Sequence, residues 1–251
     1  MRRFVFWLAA ELRICVRRPV LRRNDCMFFS SASHHRPSVL SERSIDEIWR
    51  RLSIVQVRRR HTLTALGVFA VFISPFLAST WASGSTVHRG IEWLGLALIF
   101  AAFLGRSWCI LYLGGHKGAT LIQQGPYSIS RNPLYLFSVT AVAGIGMQTG
   151  SIVFGLLLAM CVYGVFNYVI GQEEVLLRTV FGPQFESYCA RVPRFWPRLS
   201  RWQSDKDLLI DIGGLWNTVR DALPYFLAVP VFEFIEYAQG CGWLPVLLHL
   251  P

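Results

Sequence analysis

Long stretches without a charged residue fill the middle of the chain and predict membrane-spanning helices. Thr62 to Ala82 is uncharged, and about 20 apolar residues in a helix cross the hydrocarbon core of a bilayer. Pro75 lies inside this stretch and predicts a kink, which membrane helices tolerate. The next stretch, Ile91 to Leu113, contains Arg106, whose long side chain can extend toward the loop that follows.

The next apolar stretch, from Asn132 to Gln172, has no charged residue and is long enough for two spans. The sequence from Gln148 to Ser151 predicts a tight turn between them. Asn132 is a typical residue before a helix, and Pro133 is a typical first helical residue. These patterns predict an all-α polytopic membrane protein with about four spans, including a helical hairpin.

Composition agrees with a membrane protein and divides the chain into three regions. The sequence is 53% hydrophobic and 16% charged, with a net charge of +10, and nearly all of that excess lies in residues 1–60. We predict a basic arm over 1–60 that is cytoplasmic or a targeting segment, or whose true start is Met27. A membrane core over 61–204 and an amphipathic or interfacial extension over 205–251 follow. The basic arm favours a cytoplasmic flank near anionic lipid over nucleic-acid binding.

Cysteine and histidine positions suggest neither disulfides nor a metal site. The six cysteines are far apart with no CxxC pair. His34-His35 lies in the basic arm without metal-ligand spacing, and His116 is isolated in a loop. We therefore expect no metal. The uncharged stretches make the lipid bilayer the main expected partner.

Polar motifs border the hairpin on both sides. GPYSISRNPLY begins at Gly125, and EEVLLRTVFGPQFESYCARVPRFWP begins at Glu173. In this order and separation they resemble the isoprenylcysteine carboxyl methyltransferase and phospholipid methyltransferase family of integral membrane enzymes, over residues 112–197. The resemblance implies S-adenosylmethionine as the methyl donor and a cofactor pocket at the cytoplasmic face.

The resemblance also implies which residues act. Arg131 and Glu173 are the implied catalytic residues. The implied cofactor-binding positions are Ala119, Thr120, Leu121, Ile122, Tyr127, Asn132, Pro133, Leu134, Tyr135 and Glu173. Val169 stands where eukaryotic carboxyl methyltransferases have a substrate-contacting Arg, which argues against an isoprenylcysteine acceptor.

The chemistry of these residues suits the cofactor, but the acceptor stays open. Glu173 can accept from an ammonium or ribose hydroxyl, Arg131 can bind a carboxylate, and Tyr127 and Tyr135 can stack on adenine. Carboxyl O-methylation of a lipophilic acid and N-methylation of an aminolipid both fit, as does methylation of a small hydrophobic thiol or amine. The alternatives are an NADPH-dependent sterol-reductase-like enzyme and a catalytically inactive membrane scaffold.

Overall fold

The computed structural model describes residues 42–114, 121–204 and 212–251, and most of them are helical. Short 3₁₀ turns and two three-residue strands complete the secondary structure of these residues. The α-helices are α1 (Glu42–Ile73), α2 (Thr86–Gly114), α3 (Pro126–Ile129), α4 (Pro133–Met147), α5 (Ile152–Phe181), α6 (Pro183–Arg191), α7 (Ile212–Ala222) and α8 (Ala228–Gly240). The strands are β1 (Leu77–Ser79) and β2 (Leu248–Leu250).

The helix expected over Thr62 to Ala82 is wrong at both ends. The apolar stretch is the second half of α1, which begins in the basic region and ends at Ile73. A 3₁₀ turn over Ser74–Phe76 follows, because the Pro75 ring lacks the N–H that would continue the helix. Strand β1 then pairs in parallel with β2, so the fold is not wholly α. The expected boundary between 1–60 and 61–204 falls inside α1.

The predicted helical hairpin is present with its turn at the expected residues, but its first helix, α4, has 15 residues and is shorter than a membrane span. Helix α4 ends at Met147 and α5 begins at Ile152. The Ser151 hydroxyl accepts a hydrogen bond from the Phe154 N–H at 3.1 Å and so caps α5. Helix α5 continues to Phe181 and stops at Gly182, whose φ of 51° favours glycine. The acidic pair therefore lies on the hairpin's second helix.

Glycines let α2, α4 and α5 approach backbone to backbone. A Cβ added to Gly144 would lie 2.5 Å from the Gly95 carbonyl oxygen, and one on Gly146 would lie 2.6 Å from the Gly155 Cα. Contacts this close leave no room for any side chain. The glycines of the Gly144–Gly146 run thus serve helix packing, as in membrane helix interfaces.

Apolar side chains cover much of the outer surface of α2 and α5. Among the described residues, the Thr86–Leu113 and Ile152–Phe181 segments are long and apolar enough to cross a membrane, with mean hydropathies of 1.9 and 2.1. Only 39% and 33% of their most apolar windows are buried, unlike the core helices of a soluble protein. Exposed Phe100 and Met160 are examples of the surface that results. Such a surface suits lipid contact and supports membrane association.

Arg106 does not extend toward the loop, contrary to the sequence expectation. Its side chain is buried and donates a hydrogen bond to the Ser138 hydroxyl of α4. A polar partner inside the helix packing makes this burial favourable.

The carboxyl-terminal region folds back on the helices. Helix α7 packs against α2; the amphipathic face expected there also included Leu208, which lies outside the described residues. The Gln239 amide of α8 donates to the carbonyls of Pro75 and Leu77 at 2.8 and 3.0 Å. Helix α8 and strand β2 therefore form part of the fold at the hairpin-turn end.

Candidate functional site

Hydrogen bonds join the two sequence motifs at one end of the helices. The Arg131 N–H donates to the Pro193 carbonyl at 2.9 Å, and the Ser130 hydroxyl donates to the Phe195 carbonyl at 2.9 Å. The Gly125 N–H donates to the Gln203 carbonyl at 2.7 Å. These bonds fix the loop before α4 against the segment after α6, which explains why both motifs are needed to build this end.

Glu173 lies in a cluster with Tyr135, Gln56 and Arg59, which we call the Glu173 cluster. The Tyr135 hydroxyl lies 3.0 Å from both Glu173 carboxylate oxygens, to which it donates. The Gln56 amide donates to Glu173 Oε1 at 2.6 Å. The structure thus brings together two predicted site residues, Tyr135 and Glu173, that are 38 positions apart in the chain.

Arg59 completes this cluster from α1. The residue is 1% exposed, and its guanidinium donates to the Tyr135 hydroxyl and lies 5.1 Å from the centroid of the Tyr135 ring. On its other side, the ring stacks on Phe166 with centroids 4.6 Å apart. A buried cation is costly unless paired, so the Glu173 carboxylate and the aromatic face are what permit Arg59 to be here.

Glu174 forms a separate cluster with arginines, which we call the Glu174 cluster. Its Oε1 lies 3.0 Å from Arg131 Nη1 and 3.3 Å from Arg194 Nε. The carboxylate is 14% exposed, and Arg194 also donates to the Asn167 side-chain oxygen at 3.0 Å. Arg131 is therefore paired with Glu174, while the adjacent Glu173 points to the other cluster, as helical geometry separates neighbouring residues by about 100°.

Tyr127 is buried beside α6. Its carbonyl accepts a hydrogen bond from the Tyr188 hydroxyl at 2.8 Å. Burial raises the pKa of Tyr188 above its ordinary value, which keeps this hydroxyl protonated as a donor. Leu121 packs against the apolar cluster formed by Phe185, Tyr188 and Val192. The surroundings of Tyr127 are therefore mainly apolar, and the Tyr188–Tyr127 hydrogen bond is a polar contact within them.

The other predicted cofactor positions have mixed surroundings. Asn132 precedes α4, but its amide donates to the Arg194 carbonyl at 2.9 Å and does not cap the helix. Pro133 is buried as the first residue of α4, and Leu134 and Ile122 are half-buried. Ala119 and Thr120 lie outside the described residues.

Gln56, Arg59 and Arg194 were not predicted as site residues. A signal for Arg59 exists in the sequence, because it shares a helical face with Leu63 and Leu66, both of which pack in the core. An arginine in register with an apolar face is a candidate for burial, whereas Arg58 and Arg60 lie off that face. No local sequence pattern, however, predicts that Arg59 pairs with Tyr135, which lies 76 positions away.

Comparison with known proteins connects this arrangement to a family. The family model for phospholipid methyltransferases matches residues 90–184. The nickel-cobalt-cadmium resistance protein NccN of Alcaligenes xylosoxydans xylosoxydans is 32% identical over 196 residues, which cover 74% of this chain and 89% of that protein. The chain belongs to the phospholipid methyltransferase family. The cobalt-zinc-cadmium resistance protein CzcN of Cupriavidus metallidurans is likewise 32% identical, over 191 residues that cover 74% of this chain and 88% of that protein.

Membership of the phospholipid methyltransferase family confirms the resemblance read from the motifs and supports a membrane methyltransferase domain. The matched residues include the loop before α4, the hairpin and the acidic pair. They do not include α1, which supplies Gln56 and Arg59. No solved structure matches the chain.

Replacing Arg59 by methionine tests the role of α1. We expect Arg59→Met to lower the free energy of unfolding by about 1–3 kcal/mol, because the Tyr135–Glu173 pair then remains buried without its cation. Arg58→Met, an exposed neighbour on the same turn, should change it by less than about 0.5 kcal/mol. Thermal unfolding of the detergent-solubilised protein measures both. Equal effects of the two variants would contradict the buried role of Arg59.

Proposed function

We propose that this protein is an S-adenosylmethionine-dependent methyltransferase that acts on a lipophilic acceptor at the cytoplasmic face of a membrane. The observation that carries the proposal is the Glu173 cluster, in which a buried arginine and three half-buried polar side chains meet at the end of apolar helices. Ionisable groups in such a position are expensive and are usually functional. Family membership supports the same reaction class.

Unpartnered polar atoms in the Glu173 cluster suit the cofactor. Arg59 Nε and Nη2 and Gln56 Oε1 are buried and find no hydrogen-bond partner within the described part of the chain. The methionine moiety of S-adenosylmethionine carries a carboxylate, which matches the arginine donors, and an ammonium, which matches the amide oxygen and Glu173. Arg131 Nε is a further unpartnered donor nearby. The residues present thus fit a zwitterionic ligand.

When bound, the cofactor would supply an electrophilic methyl group on a sulfonium. The protein's own residues would orient and shield the reaction. Arg59 orients the Tyr135 hydroxyl, which donates to Glu173, and this carboxylate can accept a proton released by an amine acceptor. The surrounding apolar helices exclude water from a reaction that disperses charge.

An apolar groove between the helices, two of whose lining residues share a core cluster with Tyr135, suits the tail of an amphiphile. Side chains of α1, α4, α5 and α8 line the groove, among them Leu63, Val142, Leu158, Val162 and Phe232. Leu63 and Val162 also belong to the core cluster against which Tyr135 packs. A hydrocarbon chain in the groove would therefore place a polar head group near Glu173.

Charge asymmetry supports a cytoplasmic orientation for this end. It carries many arginines, which lie on α1, in the loop before α4 and after α5. They include Arg58, Arg60, Arg131, Arg178, Arg191, Arg194, Arg198 and Arg201. The hairpin-turn end has mainly carboxylates among its described charged residues. Positive-inside bias favours a cytoplasmic position for the arginine-rich end, where a soluble cofactor could reach it.

The rival functions are less well supported. An NADPH-dependent reductase of the sterol-reductase kind would need several basic contacts for the phosphates, and Arg131 and Arg194 each already have one nitrogen paired with Glu174. An inactive scaffold would have lost the paired residues, whereas Tyr135 and Glu173 are hydrogen bonded. The cofactor-binding experiment below decides among the three.

Cofactor binding is the first test. We expect the purified protein to bind S-adenosylmethionine, and Glu173→Gln to weaken that binding by about 1.5–3 kcal/mol, the range for hydrogen bonds to charged groups. Glu186→Gln, at an exposed position of α6, should leave the affinity unchanged. Calorimetry measures both. Absence of binding in a folded sample would leave the scaffold, and binding of NADPH instead would favour the reductase.

The acceptor is the second test. Val169 is buried and uncharged, so it cannot make the charge-assisted bond to a carboxylate that the family's arginine makes. We expect poor turnover of farnesylcysteine analogues and better turnover of an amine-bearing lipid. With an amine the rate should rise with pH, since the amine must lose its proton before attack. A base-labile methyl ester formed efficiently on farnesylcysteine would contradict this expectation.

The names of the two relatives suggest a physiological setting, and we infer that methylation by this protein contributes to tolerance of cobalt and cadmium. These are the two metals that both names share. Expression in a metal-sensitive bacterium should raise the inhibitory concentration of cobalt, and Glu173→Gln should abolish the gain while Glu186→Gln retains it. If Glu173→Gln gave the same metal tolerance as the unaltered protein at the same protein level, tolerance would not depend on methylation and the inference would be contradicted.

A further inference from the structure

A cluster of three potential metal ligands lies at the opposite end of the helices from the Glu173 cluster. It consists of His88 and Glu92 on α2 and Glu236 on α8. His88 packs against the turn of the hairpin. From that turn to Glu173, α5 rises by about 30 Å, at 1.5 Å per residue. This cluster, which we call the His88 cluster, is therefore separate from the proposed methyl-transfer site.

The histidine is held in one orientation at the centre of this cluster. His88 Nε2 lies 3.3 Å from a carboxylate oxygen of Glu92 and 3.3 Å from one of Glu236. Its side chain is 4% exposed, and the ring lies against Gly150, where an added Cβ would collide with it. Gly150 also has a φ of 70°, which favours glycine. The His88 ring therefore packs directly against Gly150 of the hairpin turn, where a side chain would not fit.

The buried histidine has no hydrogen-bond partner of good geometry. Neither His88 Nδ1 nor Nε2 makes a hydrogen bond within the described part of the chain, although Nε2 lies 3.3 Å from a carboxylate oxygen of each glutamate. No arginine or lysine among the described residues forms an ion pair with Glu92 or Glu236. Two carboxylates and an imidazole thus converge without a protein cation to balance them.

The spacing of the ligand atoms matches a small divalent cation. Ligands at 2.0–2.1 Å from a tetrahedral ion are separated by about 3.3–3.4 Å, and Nε2 lies 3.3 Å from each carboxylate oxygen. All three ligand atoms lie within 4.8 Å of one another. The Glu92 and Glu236 side chains are 25% and 31% exposed, so an ion can enter from outside.

We propose that His88, Glu92 and Glu236 bind a divalent transition-metal ion such as Zn²⁺ or Co²⁺. One imidazole nitrogen and two carboxylate oxygens form a donor set that suits these ions. A catalytic zinc site typically has three protein ligands and an open position, and the same count here leaves room for water or an external ligand. This site is independent of the proposed methyl transfer.

The proposal replaces the sequence expectation that the chain binds no metal. The only local signal is that His88 and Glu92 are four positions apart on a helix and so share a face. The third ligand comes from a helix more than 140 positions away. No sequence motif with metal-ligand spacing predicts a site built from these three residues.

Metal binding to the full-length protein, purified in detergent without a polyhistidine tag, tests the proposal. We expect one Zn²⁺ per protein by calorimetry and a higher unfolding temperature with the ion present. Glu236→Gln, which keeps the size of the side chain, should weaken Zn²⁺ binding at least about tenfold, which corresponds to 1.4 kcal/mol. His88→Gln should do the same.

Glu233→Gln is the matched control, because Glu233 is an exposed carboxylate one turn before Glu236 on α8. It should leave the Zn²⁺ affinity within about twofold, a difference of less than 1 kcal/mol. An equal loss in Glu233→Gln and Glu236→Gln would reduce the effect to surface charge and overturn the proposal.

Spectroscopy of the unaltered protein covers the case in which a variant fails to fold. X-ray absorption at the zinc edge should show nitrogen and oxygen ligands at about 2.0–2.1 Å, with an imidazole signal and no sulfur. Co²⁺ should give the intense visible bands of a four-coordinate ion, displaced by Zn²⁺. No Zn²⁺ binding, or a sulfur shell that assigns the ion to the cysteines, would overturn the proposal and leave the cluster as a histidine–carboxylate ion pair.

Discussion

Close backbone contact between α2, α4 and α5 is the constraint on which the rest of the structure depends. Gly95 meets Gly144, and Gly146 meets Gly155, at distances that no side chain could share. Lipid offers little hydrophobic drive for helices to associate, so such contacts and buried hydrogen bonds must hold them together. Because this core fixes the depth of each helix, it also fixes which residues meet at its two ends.

The Glu173 and Glu174 clusters follow from this constraint. The neighbouring carboxylates of Glu173 and Glu174 on α5 have different partners. Helix packing places these partners at the same end of the helices as the two glutamates. Tyr135 lies between a buried arginine and a carboxylate, with Phe166 beneath its ring. The end of the helix bundle is therefore polar and ordered in an otherwise apolar setting, which is the physical requirement for a ligand site near lipid.

The sequence predicted those features that local chemistry decides. The hairpin could be located because Pro133, Ser151 and Gly182 each favour one position at a helix end. Tyr135 and Glu173 could be named because their motifs resemble a family. The end of α1 was misplaced, since an uncharged run does not reveal where a helix stops when Pro75 precedes a strand that pairs with residues 248–250.

Pairings between distant elements were beyond the sequence. Arg131 was expected to be available to a ligand, yet it pairs with Glu174 at 3.0 Å, and the rotation of α5 that brings them together is set by tertiary packing. Arg59 and Gln56 were missed for the same reason. Both residues lie on α1, and no local sequence pattern predicts that α1 packs against α5.

The Glu173 cluster extends beyond the residues that the family model matches. Matched residues begin at 90, whereas the cation that neutralises Glu173 comes from residue 59. A protein trimmed to the matched region would keep every motif and would leave the Tyr135–Glu173 pair without the neighbouring cation of Arg59. Helix α1 is therefore a place where a substitution can alter the electrostatics of the site without touching a motif residue.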